Sequence, residues 1–353
     1  MKPYTKKIVL ENGREFYGYG FGADRESINE IVFNTSMVGY QEIISDPSYT
    51  DQAVVMTYPL IGNYGTAEED YETKFPTIGG MIVREYNDIP SNFRYTRTLN
   101  EVFEEMGIPA ISGVDTRALT RIIRDEGSQK VIMTDASTPH EEAMRRLRAY
   151  ELPHDMVARV SCKKRWFSRT PNHRFDVVAI DCGIKYNIIR CLNQKGCNVT
   201  VVPYDATVEE ILAFRPDGIF LSNGPGDPTD VEPVIEKVRA LKGRLPIFGI
   251  CMGHQMVALA YGARTFKKVR PPRRQPPREV PRDGPDRDHE PEPQLRRGHR
   301  LAEGHAAAAH ARQPAGQHGR RGRVPRGDGL LGAVPPRERP GSAGQHLFVR
   351  QVH

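Results

Sequence analysis

The chain has 353 residues and a formal net charge of +6, enough length for two domains. The charge is uneven: residues 269–353 carry 17 Arg and no Lys against nine Asp and Glu, so residues 1–268 are slightly acidic at about −2. The basic pI of the whole chain therefore does not indicate nucleic-acid binding. No apolar run is long enough to cross a bilayer.

The five cysteines are an odd number and form no CxxC pair. This spacing argues against a zinc site or a disulfide framework, and it fits a reducing compartment. They are Cys162, Cys182, Cys191, Cys197 and Cys251.

Residues 1–150 predict a compact α+β, mostly-β domain. The opening KKIVLENGREFYGYGFG has a strand–turn–strand pattern, and short apolar strands separated by Gly, Pro, Asn and Asp turns follow. The stretch TLNEVFEEMGIPAISGVDTRALTRIIRDEG predicts two short helices around a turn. Residues 151–172 have weak periodicity and are predicted to be a linker.

Residues 173–268 change to alternating strands and helices. Apolar strands such as FDVVAID and amphipathic helices such as KYNIIRCLNQ follow one another at the spacing of βαβ units. This pattern predicts a doubly wound parallel sheet, truncated at residue 268, with its site at the carboxyl ends of the strands. Two strand ends stand out, SNGPGDP at 222–228 and GICMGHQ at 249–255.

In GICMGHQ, Cys251 follows a strand and precedes a helix, with a glycine two residues away on each side. This is the pattern of a nucleophile elbow. The free N–H groups of the helix N-terminus favour a thiolate there. A lone cysteine is more often a buried packing residue, but the surrounding pattern favours the catalytic interpretation. His254 lies three residues into the helix and is predicted to point away from the thiol, so it is not expected to be the base.

The SNGPGDP loop follows the strand before the nucleophile strand. Its backbone N–H groups could stabilise an oxyanion. By itself the sequence is better explained as a simple Gly-Pro turn. Its position beside the Cys251 elbow favours the functional interpretation.

Together these motifs resemble the class I, triad-type glutamine amidotransferases. FNTSMVGYQEIISDPSY, TYPLIGNYG and GVDTRALTR further resemble the amino-terminal domain of the small subunits of glutamine-hydrolysing carbamoyl-phosphate synthases. The resemblance covers residues 1–268. It implies that Cys251 attacks the side-chain amide of L-glutamine. It also implies that the Met252 N–H and Gly224 lie near the oxyanion. The residues implied to contact glutamine are Ser48, Gly224, Gly226, Met252 and Gln255.

The same resemblance implies a cytoplasmic protein that works with a larger partner subunit. Ammonia would pass to a large synthetase subunit, which would hold ATP and metal and make carbamoyl phosphate for arginine and pyrimidine biosynthesis. No cofactor or metal is expected in this chain, and neither nucleic acid nor a membrane is an expected partner.

The composition changes abruptly after Lys268. Residues 269–353 contain no Lys, Ile, Asn, Thr, Tyr, Trp, Met or Cys and a single aromatic residue, Phe348. The family pattern expects FGHRGGNHPV-like, SQNHxYAV-like and QYHPE-like stretches after the elbow helix, the last supplying the catalytic His and the Glu that orients it. None is present in the chain.

A shifted reading frame accounts for the change. If the frame is moved forward by one nucleotide, VRPPRRQPPRE can encode FGHRGGNHPV, EPEPQLRR can encode SQNHNYAV, AVPPRE can encode QYHPE and PGSAGQ can encode PGPQDS. Four expected motifs occur in the expected order. Residues 269–353 are therefore predicted to be an out-of-frame, disordered tail. The rival interpretations are a natural disordered basic tail and a nucleic-acid-binding tail, and the near absence of aromatics and Lys argues against the second.

This interpretation predicts a defective glutaminase, because the base, its orienting carboxylate and part of the glutamine pocket are missing. One alternative is an inactive partner that only docks on the large subunit. Another is a different triad-type amidotransferase, which the first 150 residues argue against.

Overall fold

The computed structural model of the chain describes residues 2–265. The predicted disordered tail, residues 269–353, lies outside the described residues, as does the end of the predicted amidotransferase segment.

The amino-terminal part is a closed barrel. The strands of this part are β1 (Lys6–Leu10), β2 (Glu15–Gly22), β3 (Ser27–Asn34), β4 (Gln52–Met56), β5 (Leu60–Ile61), β6 (Gly80–Ile82), β7 (Glu85–Tyr86), β8 (Pro109–Ser112) and β9 (Lys130–Asp135). β5 and β7 form a separate two-stranded ribbon, and the others form the barrel. Among the described residues the barrel order is β1-β2-β8-β6-β4-β3-β9, with parallel pairs along β3-β4-β6-β8 and antiparallel pairs elsewhere.

Four helices of the described chain bury their apolar faces on the barrel. They are α1 (Tyr40–Ile44), α2 (Leu99–Met106), α3 (Thr116–Glu126) and α4 (His140–Ala149). A capping box between Thr98 and Glu101 starts α2, and Gly107 ends it in the left-handed region. Leu119 of α3 is fully buried against Ile111 and Val55, so this helix fixes one side of the core.

The stretch between α2 and α3 differs from the prediction. It forms the strand β8 rather than only a turn, and β8 pairs with both β2 and β6. Three of its four residues are buried. A strand this short carries no periodicity of its own, and partners far away in the sequence define it.

The carboxyl-terminal part is a sheet covered by helices on both faces. Its elements are α5 (Met156–Val160), β10 (Trp166–Ser168), β11 (Phe175–Asp181), α6 (Tyr186–Gln194), β12 (Cys197–Pro203), α7 (Val208–Ala213), β13 (Gly218–Leu221), α8 (Glu232–Leu241), β14 (Ile247–Gly249) and α9 (Met252–Ala260). Within residues 2–265 the order is β10-β12-β11-β13-β14, and all pairs except β10-β12 are parallel. The mixed fold class predicted from the sequence is confirmed.

The stretch predicted to be a linker contributes to this sheet. Val157 of α5 is buried in the apolar cluster between the sheet and its helices. β10 adds an antiparallel strand beside β12. Its three residues are only partly buried or exposed, as expected for an edge strand, and this explains the weak hydrophobic pattern in the sequence.

Glu72 of the barrel part joins the two parts at the start of α6. Its carboxylate accepts the backbone N–H of Asn187 at 2.9 Å, and its backbone oxygen accepts that of Tyr186 at 2.8 Å. Arg190 lies one turn further along, 3.5 Å from the same carboxylate. Because α6 has no side-chain cap of its own, a residue of the other part satisfies its free N–H groups.

Replacement of Glu72 by Ala should therefore loosen the first turn of α6. The lost cap and ion pair are together worth about 1–2 kcal/mol. Amide hydrogen exchange at Asn187 should accelerate by roughly tenfold, while exchange in the barrel strands stays unchanged. Glu68→Ala, at an exposed position nearby, is the matched control. Equal exchange at Asn187 in the two variants would contradict this role of Glu72.

Candidate active site

Cys251 occupies a strained turn between β14 and α9. Its backbone has φ 52° and ψ −114°, which side-chain-bearing residues rarely adopt. Such strain costs on the order of 1–3 kcal/mol and persists where the surroundings impose it. The geometry is that of a nucleophile elbow, which presents the side chain at the carboxyl end of the sheet.

Two glycines make this turn possible. A Cβ atom on Gly253 would lie 2.3 Å from the carbonyl oxygen of Leu221, and one on Gly249 would lie 2.4 Å from the carbonyl carbon of Gly253. Any side chain at either position would collide with backbone. The first turn of α9 therefore packs directly on the end of β13, and the Gly253 N–H donates to the Ser222 oxygen at 3.1 Å.

The pKa of the Cys251 thiol is raised above its usual value. The largest cause is desolvation by the protein atoms around the sulfur, although the residue itself has an exposed surface. The negative charge of Asp46 acts in the same direction, whereas the Met252 N–H and the positive charge of Lys185 lower the pKa. The sequence led us to expect that the helix N-terminus would favour a thiolate. That contribution is present, but desolvation outweighs it.

The loop after β13 lies beside the elbow. A Cβ atom on Gly224 would be 2.3 Å from the Cys182 oxygen and 3.1 Å from the Met252 sulfur, so only glycine fits between them. Gly226 has a positive φ of 85°. The Ser222 hydroxyl accepts the Cys182 N–H at 2.8 Å and donates to the Asn223 oxygen at 2.7 Å, which fixes the loop on the sheet.

A segment of the barrel part reaches this loop. Asp46 caps a 3-10 turn at Pro47–Tyr49 by accepting the Ser48 N–H at 2.9 Å. The Ser48 hydroxyl accepts the side-chain N–H of Asn223 at 3.1 Å. Ser48 is thereby held next to the Gly224 loop.

Lys185, in the turn after β11, completes the arrangement. Its Nζ lies 3.0 Å from Asp46 Oδ2, and this carboxylate raises the lysine pKa even though burial alone would lower it. The Lys185 N–H also points to Asn223 Oδ1 at 3.4 Å. Lys185 and Asp46 form a partly buried ion pair that faces the thiol.

The structure brings together Ser48, the 224–226 loop and the Cys251 elbow at one edge of the sheet. Met252, the first residue of α9, is buried, and Gln255 is buried one turn later with its N–H on the Cys251 oxygen at 3.1 Å. Sequence reasoning did not select three further polar groups at this edge: Asp46, Lys185 and Asn223. Position along the chain could have indicated two of them, because Lys185 and Asn223 lie in the turns that follow β11 and β13.

The histidines between residues 2 and 265 form no hydrogen bond to the Cys251 thiol. Three are exposed and face carboxylates elsewhere: His140 with Glu15 at 2.8 Å, His154 with Asp230 at 3.1 Å, and His173 with Asp176 at 3.6 Å. His254 lies on α9, and its predicted non-catalytic role stays a prediction. In the part of the chain that the structure describes, no histidine is therefore hydrogen-bonded to the thiol.

Comparisons with known proteins agree with this geometry. Residues 8–133 match the carbamoyl-phosphate synthase small chain, CPSase domain, and residues 178–311 match glutamine amidotransferase class-I. The carbamoyl phosphate synthase small chain of Listeria innocua is 52% identical over 264 residues, covering 74% of this chain and 72% of the relative. The chain belongs to the carbamoyl-phosphate synthase small-chain family. The small chain of Oceanobacillus iheyensis is 49% identical, covering 74% of this chain and 71% of the relative.

Membership of the small-chain family excludes the alternative of another triad-type amidotransferase, because the barrel part matches the carbamoyl-phosphate synthase small chain. Cys251 lies within the residues that match glutamine amidotransferase class-I. No helix among residues 2–265 is long and apolar enough to cross a membrane.

The effect of the Lys185 charge on the pKa of Cys251 should be measurable. Lys185→Met removes a positive charge that lowers the pKa of Cys251, so the midpoint of its iodoacetamide alkylation should move to higher pH. Labelling is followed on the Cys251 peptide by mass spectrometry, because Cys191 is also exposed. Lys195→Met, at the end of α6, is the control. An unchanged midpoint in Lys185→Met would rule out this electrostatic coupling.

The strain at Cys251 leads to a second prediction. Glycine normally destabilises a fold relative to alanine by about 0.5–1 kcal/mol. At position 251 the order should reverse, because glycine adopts a positive φ freely. Cys251→Gly should be more stable than Cys251→Ala by about 1 kcal/mol, measured by thermal unfolding of both variants. A higher melting temperature for Cys251→Ala would show that the elbow is not strained.

Proposed function

We propose that this chain derives from the glutaminase subunit of carbamoyl-phosphate synthase and that, in its present form, it is a defective glutaminase. The observation that carries the proposal is the arrangement at the sheet edge: a thiol at an elbow, beside Ser48 and the Gly224 loop, with no histidine hydrogen-bonded to it in residues 2–265.

The reaction of the intact site would begin with the Cys251 thiolate attacking the side-chain amide carbon of L-glutamine. The tetrahedral oxyanion would lie against the Met252 N–H and Gly224. Collapse would expel ammonia after proton transfer to it, and water would then hydrolyse the glutamyl thioester. Ser48, Gly226 and Gln255 would hold the substrate at this edge.

Formation and hydrolysis of the glutamyl thioester both need proton transfer. In the first step one residue takes the thiol proton and gives a proton to the leaving ammonia, and in the second it activates water. The raised pKa of Cys251 makes this requirement stricter, because little thiolate forms spontaneously near neutral pH. Without the base, the turnover rate for glutamine should fall.

The missing base is explained by the proposed change of reading frame after about Lys268. In the shifted frame, residues 333–338 would supply the His and its orienting Glu. The amidotransferase match extends to residue 311, into the segment proposed to be out of frame. The nucleotide sequence is therefore needed to decide the reading frame. Resequencing the gene from the codon of residue 266 onward tests this explanation. If the next reading frame does not encode the QYHPE-like stretch, the explanation is removed.

In the cell we place the chain in the cytoplasm, where its five free thiols are compatible with reducing conditions. Its proposed partner is the large synthetase subunit, which would hold ATP and metal while this chain holds neither. The product would be carbamoyl phosphate for arginine and pyrimidine biosynthesis. If the defect is complete, the remaining role is that of an inactive docking partner.

The defect can be measured on the purified chain. Its kcat for glutamine hydrolysis should be at least about 100-fold below that of a version with the shifted frame restored, because general acid–base catalysis contributes roughly 100- to 10,000-fold. Cys251→Ser in each background defines the activity that does not depend on the thiol. Comparable turnover by the two versions would refute the proposal.

A further inference from the structure

We propose that the large synthetase subunit docks on an exposed apolar surface of the barrel part, formed by Met37, Val38, Ile89, Phe93 and Tyr95, here named the apolar face. The inference rests on the proposed function, because it assigns a place to the partner named there.

Four of the five residues are unusually exposed for their type, and Tyr95 is 44% exposed. Phe93 is 95% exposed, Ile89 80%, Val38 72% and Met37 69%. They come from two loops, residues 35–39 before α1 and residues 88–97 before α2. Single exposed apolar residues need no explanation, but a group of them marks an interaction site.

Tyr64 and Gly65 connect the two loops. The Tyr64 hydroxyl accepts the Gly39 N–H at 2.9 Å, next to Val38. On the other side, a Cβ atom on Gly65 would lie 2.7 Å from the Tyr95 Cβ and 3.2 Å from the Pro90 Cβ. The loops therefore lie on either side of the same tyrosine–glycine pair.

Charged groups beside the apolar face are paired within the chain. Arg94 lies 2.9 Å from Glu69 and 3.3 Å from Asp70, and Asp88 accepts the Tyr86 hydroxyl. A partner would not have to supply counter-charges for these groups. Apolar residues inside a polar rim that is already satisfied are the usual anatomy of a protein–protein interface.

The position favours the large subunit over a second copy of this chain. α1 begins at Tyr40, whose N–H also donates to the Tyr64 hydroxyl at 2.9 Å. It is five residues long, about 8 Å along its axis, and ends at Ile44, two residues before the Asp46–Ser48 segment of the proposed glutamine site. A partner that receives ammonia must dock near that site. The apolar face also lies inside the synthase-specific match, residues 8–133.

The test uses the full chain and the purified large synthetase subunit from the same organism, with binding measured by calorimetry. Ile89→Ser/Phe93→Ser and, separately, Met37→Ser/Val38→Ser should each weaken binding at least tenfold, because exposed aromatic and apolar anchors dominate interface energies. Phe175→Ser, a half-exposed phenylalanine at the start of β11, should bind like the unmodified chain. Thermal unfolding confirms that each variant folds.

The outcomes separate this inference from the proposed function. Equal binding by all variants would overturn the apolar face while leaving the docking role intact. No binding by the unmodified chain would overturn both. Loss of self-association in the two double variants, with unchanged binding of the large subunit, would assign the surface to a second copy instead. The glutaminase measurement on the chain alone is independent of all three outcomes.

Discussion

The candidate site depends on one short segment of the barrel part, Asp46–Ser48, lying on the carboxyl ends of the second part's sheet. Asp46 caps its own turn and pairs with Lys185, and Ser48 binds Asn223. Charges that are partly removed from water must be paired, or their desolvation is not compensated. The contact between the parts is therefore specified by polar groups that also act on the thiol, and separating the parts would dismantle this arrangement.

The strained elbow depends on the same sheet. β13 receives the first turn of α9 on its end, and this is possible only because Gly249 and Gly253 present bare backbone there. The unfavourable φ of Cys251 is imposed by this packing. Sheet, loop and elbow thus form one support for the Cys251 thiol, whereas Ser48 and Asp46 come from the barrel part.

Much of this was accessible from the sequence because it is encoded locally. Alternating strands and helices, the glycines around Cys251 and the SNGPGDP loop lie within short windows, and their pattern reports the fold directly. β8, β10 and the Asp46–Lys185 pair are different. Each is defined by a partner far away in the chain, and no local pattern distinguishes a lysine that meets a carboxylate 139 residues away from an exposed one.

Under the proposed change of reading frame, docking and catalysis would be affected unequally. The barrel strands, the apolar face and Asp46–Ser48 lie within the described residues, so the proposed docking surface would be kept. Catalysis would be lost, because no histidine in residues 2–265 is hydrogen-bonded to the thiol and desolvation holds its pKa high. If both proposals hold, this chain would occupy the large subunit without supplying ammonia, and would compete with an intact small chain for the same surface.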